Sequence, residues 1–310
     1  MSLPKYFPLK VADRKSIPIP SVGFGTFGAP TSDGKGWCKD ATLEALNAGY
    51  RHLDCAWAYG VNSEIGEAIR ESGIPRSEIF VTTKFWMQFA APENVELCLD
   101  LCLKEMGLDY VDLYLAHFPY AQTPTSRAGL EKATADLAGS PEDWGKLVYP
   151  ESGKPVVDWQ HTSAHIAKLS GKEGSFVPTW KAMEKLVLNG KTRAIGVSNF
   201  SISDLRDIIP HAEIPISCNQ VEVHPWLPNT ELINFSKEHG ILTTCFSPFA
   251  GQKADGSTLL KDPAVLKLAT RNEMDVGQLL QSWAVQRGTV PLGKSSTPCM
   301  NFPNSCQSIW

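Results

Sequence analysis

The sequence lacks any apolar run that approaches the length of a membrane-spanning helix, so it predicts no transmembrane segment. Its first twenty residues contain no apolar stretch of the kind found in secretory leaders, which predicts a cytoplasmic protein. Basic residues form no surplus, because 29 Lys and Arg stand against 33 Asp and Glu, for a net charge of −4. These absences argue against membrane and nucleic-acid partners and leave small molecules as the expected ligands.

The eight cysteines do not indicate the disulfide framework of a small secreted protein. The chain has 310 residues, of which 43% are hydrophobic and 20% are charged, so it can bury a large core without cross-links. Reduced thiols are expected for the cysteines inside predicted strands or helices, namely Cys55, Cys98, Cys102, Cys218 and Cys245. Length and composition together predict one domain that spans residues 1–310.

Hydrophobic patterning alternates between strand-like and helix-like periods along most of the chain. After a predicted hairpin over residues 6–20, the strand-like runs cover 22–26, 50–55, 79–84, 110–116, 193–198, 217–222, 241–246 and 289–293. The helix-like runs cover 38–48, 62–72, 92–106, 178–189, 202–209, 230–239 and 262–286, and the last is long enough for two helices. Eight strands that alternate with helices predict the α/β class and a closed parallel (β/α)8 barrel.

Residues 120–177 interrupt this alternation between the fourth strand and its helix. A segment this long in a compact domain is usually functional or mobile, and its position predicts that it overhangs the active face of the barrel. Within it, His161 and His165 have the i, i+4 spacing of a zinc pair on a helix. No acidic general base or third ligand accompanies them, so we expect a surface helix there and no metal.

Residues suited to proton transfer follow three successive strand-like runs. Asp54 and Tyr59 lie in RHLDCAWAYG, Lys84 follows IFVTT, and His117 follows YVDLYLA. Because the carboxyl ends of barrel strands meet at one face, we expect these four side chains to share a pocket. Tyrosine has an ordinary pKa of about 10, so it becomes a useful acid only beside a cation that lowers this pKa. Lys84, held by Asp54, is expected to be that cation.

The motifs LDCAWAY, VTTKFW and YLAHFP, in this order, resemble signatures of the aldo-keto reductase superfamily, and the resemblance covers residues 22–298. It implies a catalytic tetrad of Asp54, Tyr59, Lys84 and His117. In this tetrad Tyr59 would donate a proton, while His117 would orient the carbonyl and assist proton transfer at lower pH. The resemblance also implies NADPH as cofactor and reduction of aldehydes or ketones, with aldoses among the candidate substrates.

By the same resemblance, the strand ends carry the residues that hold the cofactor. The implied residues are Gly25, Thr26, Phe27, Ser198, Asn199, Gln220, Phe246, Ser247, Pro248, Phe249, Lys294, Ser295 and Ser296. Ser198, Asn199 and Gln220 would hydrogen-bond the nicotinamide carboxamide. Phe246 would stack on the nicotinamide in place of the family's usual tyrosine. Lys294 and the two following serines would suit the 2′-phosphate of NADP.

One glycine-rich run favours a different cofactor fold when it is taken alone. GFGTFG, residues 23–28, matches the G-x-G-x-x-G phosphate loop of a Rossmann fold, with Asp54 as the ribose acid. That alternative leaves Lys84 and His117 without a role, so we prefer the barrel.

Aromatic residues beside the tetrad are candidates for the walls of the substrate pocket. They are Phe27, Trp57, Trp86 and Phe118. Ordinary barrel packing accounts for each of these positions equally well.

The end of the chain departs from the family pattern. After LGKSSTP the family continues into an eighth barrel helix whose arginine meets the 2′-phosphate, whereas residues 299–310 read CMNFPNSCQSIW. Met300 stands in place of that arginine, and Pro303 would interrupt the helix. We therefore expect an atypical tail, an incomplete eighth helix and weaker NADPH binding. Apolar surface without its helix would be covered by the tail or by a second subunit, so we expect a monomer or a weak homodimer.

Two other functions remain compatible with such a barrel. A non-catalytic NADP-binding or structural protein would have no evident need for all four tetrad residues. A metal-assisted barrel hydrolase would need clustered carboxylates or histidines, for which Glu222 and His224 are the nearest candidates. Consumption of NADPH with a simple aldehyde would separate the three possibilities.

Overall fold

The structure is a computed structural model that describes residues 3–28, 36–124, 126–132 and 154–294. The predicted cofactor contacts Ser295 and Ser296 lie outside the described residues, as do Met300, Pro303 and the rest of the tail. The incomplete eighth helix therefore stays a prediction.

An antiparallel hairpin precedes the barrel and closes its amino-terminal end. Its strands are β1 (Tyr6–Lys10) and β2 (Ser16–Pro20). Leu9 and Ile19 are fully buried and pack against Phe80, which begins a barrel strand. The predicted hairpin over residues 6–20 is confirmed, and its apolar side chains keep water out of the barrel floor.

Eight parallel strands form the closed barrel. The strands after the hairpin are β3 (Gly23–Gly25), β4 (His52–Asp54), β5 (Phe80–Phe85), β6 (Val111–Ala116), β7 (Ala121–Gln122), β8 (Val157–Asp158), β9 (Thr192–Ser198), β10 (Cys218–Glu222), β11 (Leu242–Phe246) and β12 (Val290–Gly293). β7 and β8 form a separate antiparallel pair, and the others close the barrel in chain order. The predicted (β/α)8 barrel is confirmed, and the boundaries of its strands lie within two residues of those expected from the sequence.

Helices cover the outside of the barrel. They are Trp37–Asn47, Asn62–Glu71, Pro92–Met106, Arg127–Lys132, Ala164–Leu169, Val177–Leu188, Ile202–Ile208, Thr230–Glu238, Pro263–Arg271 and Val276–Gln286. The predicted run 262–286 divides into two helices, because Asp262 and Asp275 each cap a new amino terminus with a carboxylate. None of the helices in the described part of the chain is long and apolar enough to cross a bilayer.

The segment over residues 120–177 follows β6, and its described parts make several contacts with the barrel, of which two join buried side chains. Gln88 Nε2 donates to Gln122 Oε1 at 2.7 Å, and Ser163 Oγ donates to Asp204 Oδ1 at 2.5 Å. All four side chains are buried. Because buried polar contacts between distant parts of the chain need fixed geometry, these two contacts hold the described parts of the segment in place.

The helix predicted around His161 and His165 is only partly correct. His165 lies in helix Ala164–Leu169, whereas His161 belongs to the preceding 3-10 turn, where its Nδ1 lies 2.7 Å from Asp158 Oδ2. The two histidines therefore share no helix face. Within the described ranges, no three His, Cys, Asp or Glu side chains lie together in a way that could hold a metal ion.

The cysteines in the described ranges are buried and free, as predicted for reduced thiols. They are Cys38, Cys55, Cys98, Cys102, Cys218 and Cys245. Burial raises the pKa of Cys38, Cys218 and Cys245 to about 12, so these thiols stay protonated at neutral pH.

Two outer helices touch through backbone at Gly66. A Cβ atom placed on Gly66 would lie 2.1 Å from the carbonyl oxygen of Met106 and 2.6 Å from its carbonyl carbon. Helix Asn62–Glu71 therefore approaches the end of helix Pro92–Met106 more closely than any side chain allows.

We expect Gly66→Ala to destabilise the protein by about 1–3 kcal/mol, although alanine favours helix more than glycine does. The physical reason is that a backbone carbonyl, unlike a flexible side chain, cannot move away cheaply. Urea denaturation followed by circular dichroism measures the change. Gly251→Ala is the matched control, because a Cβ there meets nothing within 4 Å. Equal midpoints for the two variants would contradict this account of the helix contact.

Candidate active site

Three neighbouring barrel strands bring the predicted tetrad together. Asp54 ends β4, Lys84 lies near the end of β5, and His117 follows β6 directly. Tyr59 ends the 3-10 turn Trp57–Tyr59 that follows β4. Asp54 lies opposite Thr82 in the β4–β5 pair, so Lys84, two residues further on, faces the same interior as Thr82. The strand-end prediction therefore placed these four residues correctly relative to one another.

Lys84 and Asp54 form an ion pair inside the barrel mouth. Lys84 Nζ lies 2.7 Å from Asp54 Oδ2, and the two residues are 0% and 3% exposed. The ammonium also donates to the carbonyl oxygen of Cys55 at 2.8 Å and contacts the hydroxyl oxygen of Tyr59 at 3.4 Å. Its three hydrogens thus have three acceptors, which a fully buried ammonium requires.

The charge on Lys84 is maintained by its surroundings. Burial acts to lower the pKa of Lys84, but the Asp54 carboxylate and the Tyr59 oxygen together outweigh burial and raise it. Lys84 is therefore a permanent cation beside the phenol of Tyr59 at any physiological pH.

Tyr59 differs from the expectation based on the sequence. Burial raises its pKa, Lys84 lowers it and Asp54 raises it, and the net direction is upward. The effect of Lys84 has the predicted sign, but the removal of water from the phenol is the larger influence. Tyr59 is consequently protonated at neutral pH, which is the state a proton donor needs.

His117 is a neutral imidazole in this site. Burial lowers its pKa well below the ordinary value, and the charge on Lys84 adds to that effect. Its Nδ1 is buried without a hydrogen-bond partner among the described residues. The ring lies 5.8 Å from that of Tyr59, measured between centroids. A neutral His117 suits hydrogen bonding to a carbonyl and does not fit the predicted role in proton transfer at lower pH.

Three of the four predicted pocket aromatics surround the tetrad. Phe27 is 67% exposed, with its ring 5.1 Å from that of Tyr59. Trp86 lies 5.0 Å from His117, and Phe118 lies 5.6 Å from Trp86. These rings form an apolar rim around the Tyr59 and His117 side chains.

The fourth predicted wall, Trp57, belongs to the core. It is 6% exposed and packs edge-on against Phe89, with the ring centroids 4.9 Å apart. The structure therefore favours the packing alternative for Trp57, because its indole fills space between strand ends and outer helices.

The residues predicted to hold a carboxamide lie at the ends of β9 and β10. Ser198 Oγ donates to the carbonyl oxygen of Gln220 at 2.9 Å. Asn199 Nδ2 donates to the carbonyl oxygen of His117 at 3.0 Å and to Ser198 Oγ at 3.1 Å. The side chain of Gln220 has a partner that the sequence did not predict, since its Nε2 donates to Asp54 Oδ1 at 2.7 Å.

The other predicted cofactor residues lie at the ends of β11, β12 and β3. The Phe246 side chain is half-buried, Ser247 has a φ of 50°, and Pro248 is buried. The ring of Phe249 packs over Gly293, where a Cβ would come within 3.3 Å of it. Lys294 Nζ lies 4.7 Å over the ring of Trp37. These residues line the half of the barrel mouth opposite Lys84.

Two predicted residues at the end of β3 support the tetrad from the other side. Thr26 Oγ1 donates to the carbonyl oxygen of Asp54 at 2.9 Å, and Gly25 pairs with Asp54 across the sheet. Both residues therefore fix the backbone that carries the Asp54 carboxylate.

The residues considered for a hydrolase pair with each other. His224 Nδ1 accepts from the backbone N–H of Leu227 at 3.1 Å, so the ring proton lies on Nε2, which donates to Glu222 Oε1 at 3.1 Å. This arrangement supports a role in holding the turn after β10.

Comparison with known proteins decides the family. The sequence profile of the aldo/keto reductase family matches residues 22–300. The chain belongs to the aldo/keto reductase family. This aldo/keto reductase is 38% identical to the aldehyde reductase YPR1 of Saccharomyces cerevisiae over 292 residues, which cover 94% of this chain and 82% of that protein. It is 39% identical to the glycerol 2-dehydrogenase (NADP(+)) of the same yeast over 282 residues, with 90% and 80% covered.

The fold of this aldo/keto reductase also has a solved counterpart. The aldose reductase from Schistosoma japonicum superposes with a TM-score of 0.75 at 31% identity, and the match covers 95% of this chain and 84% of that one. Family membership makes the protein an oxidoreductase that acts on carbonyl compounds.

Sequence reasoning missed two groups in the site of this aldo/keto reductase. The carbonyl oxygen of Cys55 accepts from Lys84, and no sequence pattern marks a backbone acceptor. The contact between Gln220 and Asp54 joins residues 166 positions apart. Only the inward orientation of β10, from the alternation Cys218, Gln220, Glu222, could have indicated it.

We expect Lys84→Met to cost about 3–5 kcal/mol of unfolding free energy, because it leaves the buried Asp54 carboxylate without its counterion. Asp54→Leu alone should cost a similar amount by stranding the ammonium. The double variant should recover much of the loss, since an apolar pair of similar volume is often tolerated. Urea denaturation of all four proteins measures the coupling. Losses that simply add would show that the two charges do not depend on each other.

Proposed function

We propose that this protein reduces small aldehydes and ketones, with NADPH as cofactor and Tyr59 as proton donor. The observation that carries the proposal is the buried series in which Lys84 Nζ lies 2.7 Å from Asp54 Oδ2 and 3.4 Å from Tyr59 Oη. A phenol beside a fixed cation at the mouth of a barrel is suited to donating a proton to a developing oxyanion. The names of the yeast relatives, an aldehyde reductase and an NADP-linked glycerol dehydrogenase, support the same chemistry.

The residues at the strand ends fit a nicotinamide dinucleotide. Both hydrogens on Asn199 Nδ2 are engaged, which leaves its amide oxygen as the acceptor for a carboxamide N–H. Phe246 offers a half-buried aromatic face for a ring to stack on. Lys294 supplies a cation at the end of β12 that suits a phosphate. This donor set supports NADPH as the bound form.

The chemistry divides between the cofactor and the chain. NADPH, when bound, supplies a hydride to the carbonyl carbon. Tyr59 donates its Oη proton to the carbonyl oxygen as negative charge grows there. Lys84 stabilises the resulting tyrosinate, and Asp54 keeps Lys84 in place.

His117 orients the carbonyl in this proposal. A proton on the buried Nδ1 would be a stranded donor, so the neutral ring favours a proton on Nε2. Nε2 can then donate a hydrogen bond to the carbonyl oxygen beside Tyr59. The apolar rim of Phe27, Trp86 and Phe118 lowers the local dielectric and strengthens both contacts.

We further propose that the described parts of residues 120–177, namely 120–124, 126–132 and 154–177, form a fixed wall of the substrate pocket within one barrel domain. The buried contacts of Gln122 and Ser163 with the barrel support a wall over a freely moving lid.

The function is tested by following NADPH oxidation at 340 nm with small aldehydes and ketones, an aldose and a glycerol-derived aldehyde. Turnover with at least one aldehyde supports the proposal. Binding of NADPH without turnover on any carbonyl would favour the non-catalytic alternative instead.

We expect Tyr59→Phe to lower kcat by about 10²–10⁴-fold, because it removes the general acid and leaves the ring in place. The dissociation constant for NADPH, measured by fluorescence titration, should change by less than about threefold. A tenfold change would need a loss of about 1.4 kcal/mol of binding free energy, and the variant loses only a hydroxyl group. A Phe variant that keeps more than a tenth of the wild-type kcat while chemistry limits turnover would contradict the assignment.

The matched control for that variant is Tyr110→Phe. Tyr110 precedes β6 at the opposite end of the barrel, and the stacking of Arg76 on its ring, 4.2 Å from the centroid, survives the change. This control should keep wild-type kcat.

We expect the rate of reduction to show no step near pH 6.5, the ordinary pKa of histidine, because burial and Lys84 hold the pKa of His117 well below that value. The direction of the pH dependence of stability follows from the lowered pKa, because folding favours the neutral form of His117. Any stability that His117 contributes is therefore present above its ordinary pKa and declines as pH falls toward the lowered one. A pH–rate profile measures the first effect. His117→Gln, a neutral donor that does not titrate, should give the same profile shape. An acid limb near pH 6.5 that disappears in His117→Gln would contradict a neutral His117.

A further inference from the structure

Gln220 stands between the tetrad and the strand ends that suit the cofactor. Its side chain is 2% exposed, and its Nε2 donates to Asp54 Oδ1 at 2.7 Å. Its backbone carbonyl oxygen accepts from Ser198 Oγ and from the N–H of Asn199, each at 2.9 Å. One residue thus contacts both halves of the site.

The orientation of the Gln220 amide follows from charge. Asp54 Oδ2 contacts the ammonium of Lys84, so the group opposite Gln220 is a carboxylate. An amide oxygen facing a carboxylate would be repelled, whereas an N–H is attracted, so the nitrogen faces Asp54. The carboxylate is held at both oxygens, by Lys84 on one and by Gln220 on the other.

We propose that Gln220 is a positioning residue for proton transfer, which fixes the Asp54 carboxylate beneath Lys84 and so determines where the cation stands relative to Tyr59. This role is separate from a contact between Gln220 and the nicotinamide carboxamide, and it rests on the proposed function of Tyr59. Without the amide, the carboxylate has one fixed oxygen instead of two and can turn about its own axis.

The consequence concerns the charge near Tyr59. The N–H of Gln220 offsets part of the negative charge on Asp54, and Asp54 is one of the groups that raise the pKa of Tyr59. Removing that N–H leaves more negative charge facing Lys84 and Tyr59. The phenol then keeps its proton to higher pH, so the alkaline limb of the rate of reduction moves upward.

Gln220→Met, a variant of similar size without the amide, tests this role against Ser198→Ala. The serine variant removes the proposed carboxamide contact and the hydrogen bonds of Ser198 Oγ with the Gln220 carbonyl and with Asn199, but it leaves the contact between Gln220 Nε2 and Asp54 in place. For Gln220→Met we expect kcat to fall about 10–100-fold, as when a reacting group is displaced by about 1 Å. We also expect the alkaline limb of its pH–rate profile to move to higher pH. Ser198→Ala should raise KM for NADPH and leave the limb in place. The inference would be overturned if Gln220→Met raised only the KM for NADPH and left kcat and the alkaline limb of the pH–rate profile as in wild type.

Two further measurements keep the test decisive. If Gln220→Met does not fold, Gln220→Asn retains polarity but is too short to reach Asp54, and it should reproduce the loss of kcat and the moved limb. A normal profile for Gln220→Asn would overturn the inference.

A double-mutant cycle that combines Gln220→Met with Asp54→Leu measures unfolding equilibria, so it does not require an active enzyme. If wild type turned over no carbonyl, the proposed function would fail while this cycle still tested the contact. Gln220→Met should change the unfolding equilibrium constant about 10-fold or more when Asp54 is present, as for a hydrogen bond to a charged group. The change should be much smaller in the Asp54→Leu background. Equal changes in both backgrounds would overturn the inference.

Discussion

The ion pair between Lys84 and Asp54 is the constraint on which the rest of the site depends. An ammonium with no exposed surface is tolerated only when each of its hydrogens has an acceptor and its charge has a partner. The barrel provides these through the carboxylate, the carbonyl of Cys55 and the hydroxyl of Tyr59. Because all three acceptors lie between residues 54 and 59, at the end of β4 and in the turn after it, the pair forms only when β4 and β5 are in register.

The same cation sets the protonation of its neighbours. It lowers the pKa of His117 further than burial alone, and it opposes burial at Tyr59. The result is a site with one fixed positive charge paired with the Asp54 carboxylate, a neutral imidazole and a protonated phenol. None of these three groups changes its charge near neutral pH. The cation and the dipoles of the site are therefore positioned to stabilise the negative charge that develops on a carbonyl oxygen.

Much of the fold was predictable because barrel strands and helices differ in period. The strand boundaries fell within two residues of those observed, and the tetrad residues followed strand ends that parallel topology brings to one face. Local patterns were less informative where packing decides. Trp57 and Trp86 both follow strands closely, yet Trp57 fills the core and Trp86 packs against His117. The spacing of His161 and His165 indicated one helix, although a 3-10 turn separates them.

The sequence by itself determined the barrel, the order of its strands and the grouping of Asp54, Tyr59, Lys84 and His117 at one face, because these depend on periodicity and on strand-end position. Only the tertiary structure decided how the groups share charge. Gln220 faces Asp54 because β10 lies across the barrel from β4. The two residues are 166 positions apart in the chain. The upward direction of the Tyr59 pKa likewise reflects how completely the folded walls exclude water, and exclusion of water is a property of the closed barrel that no short stretch of sequence contains.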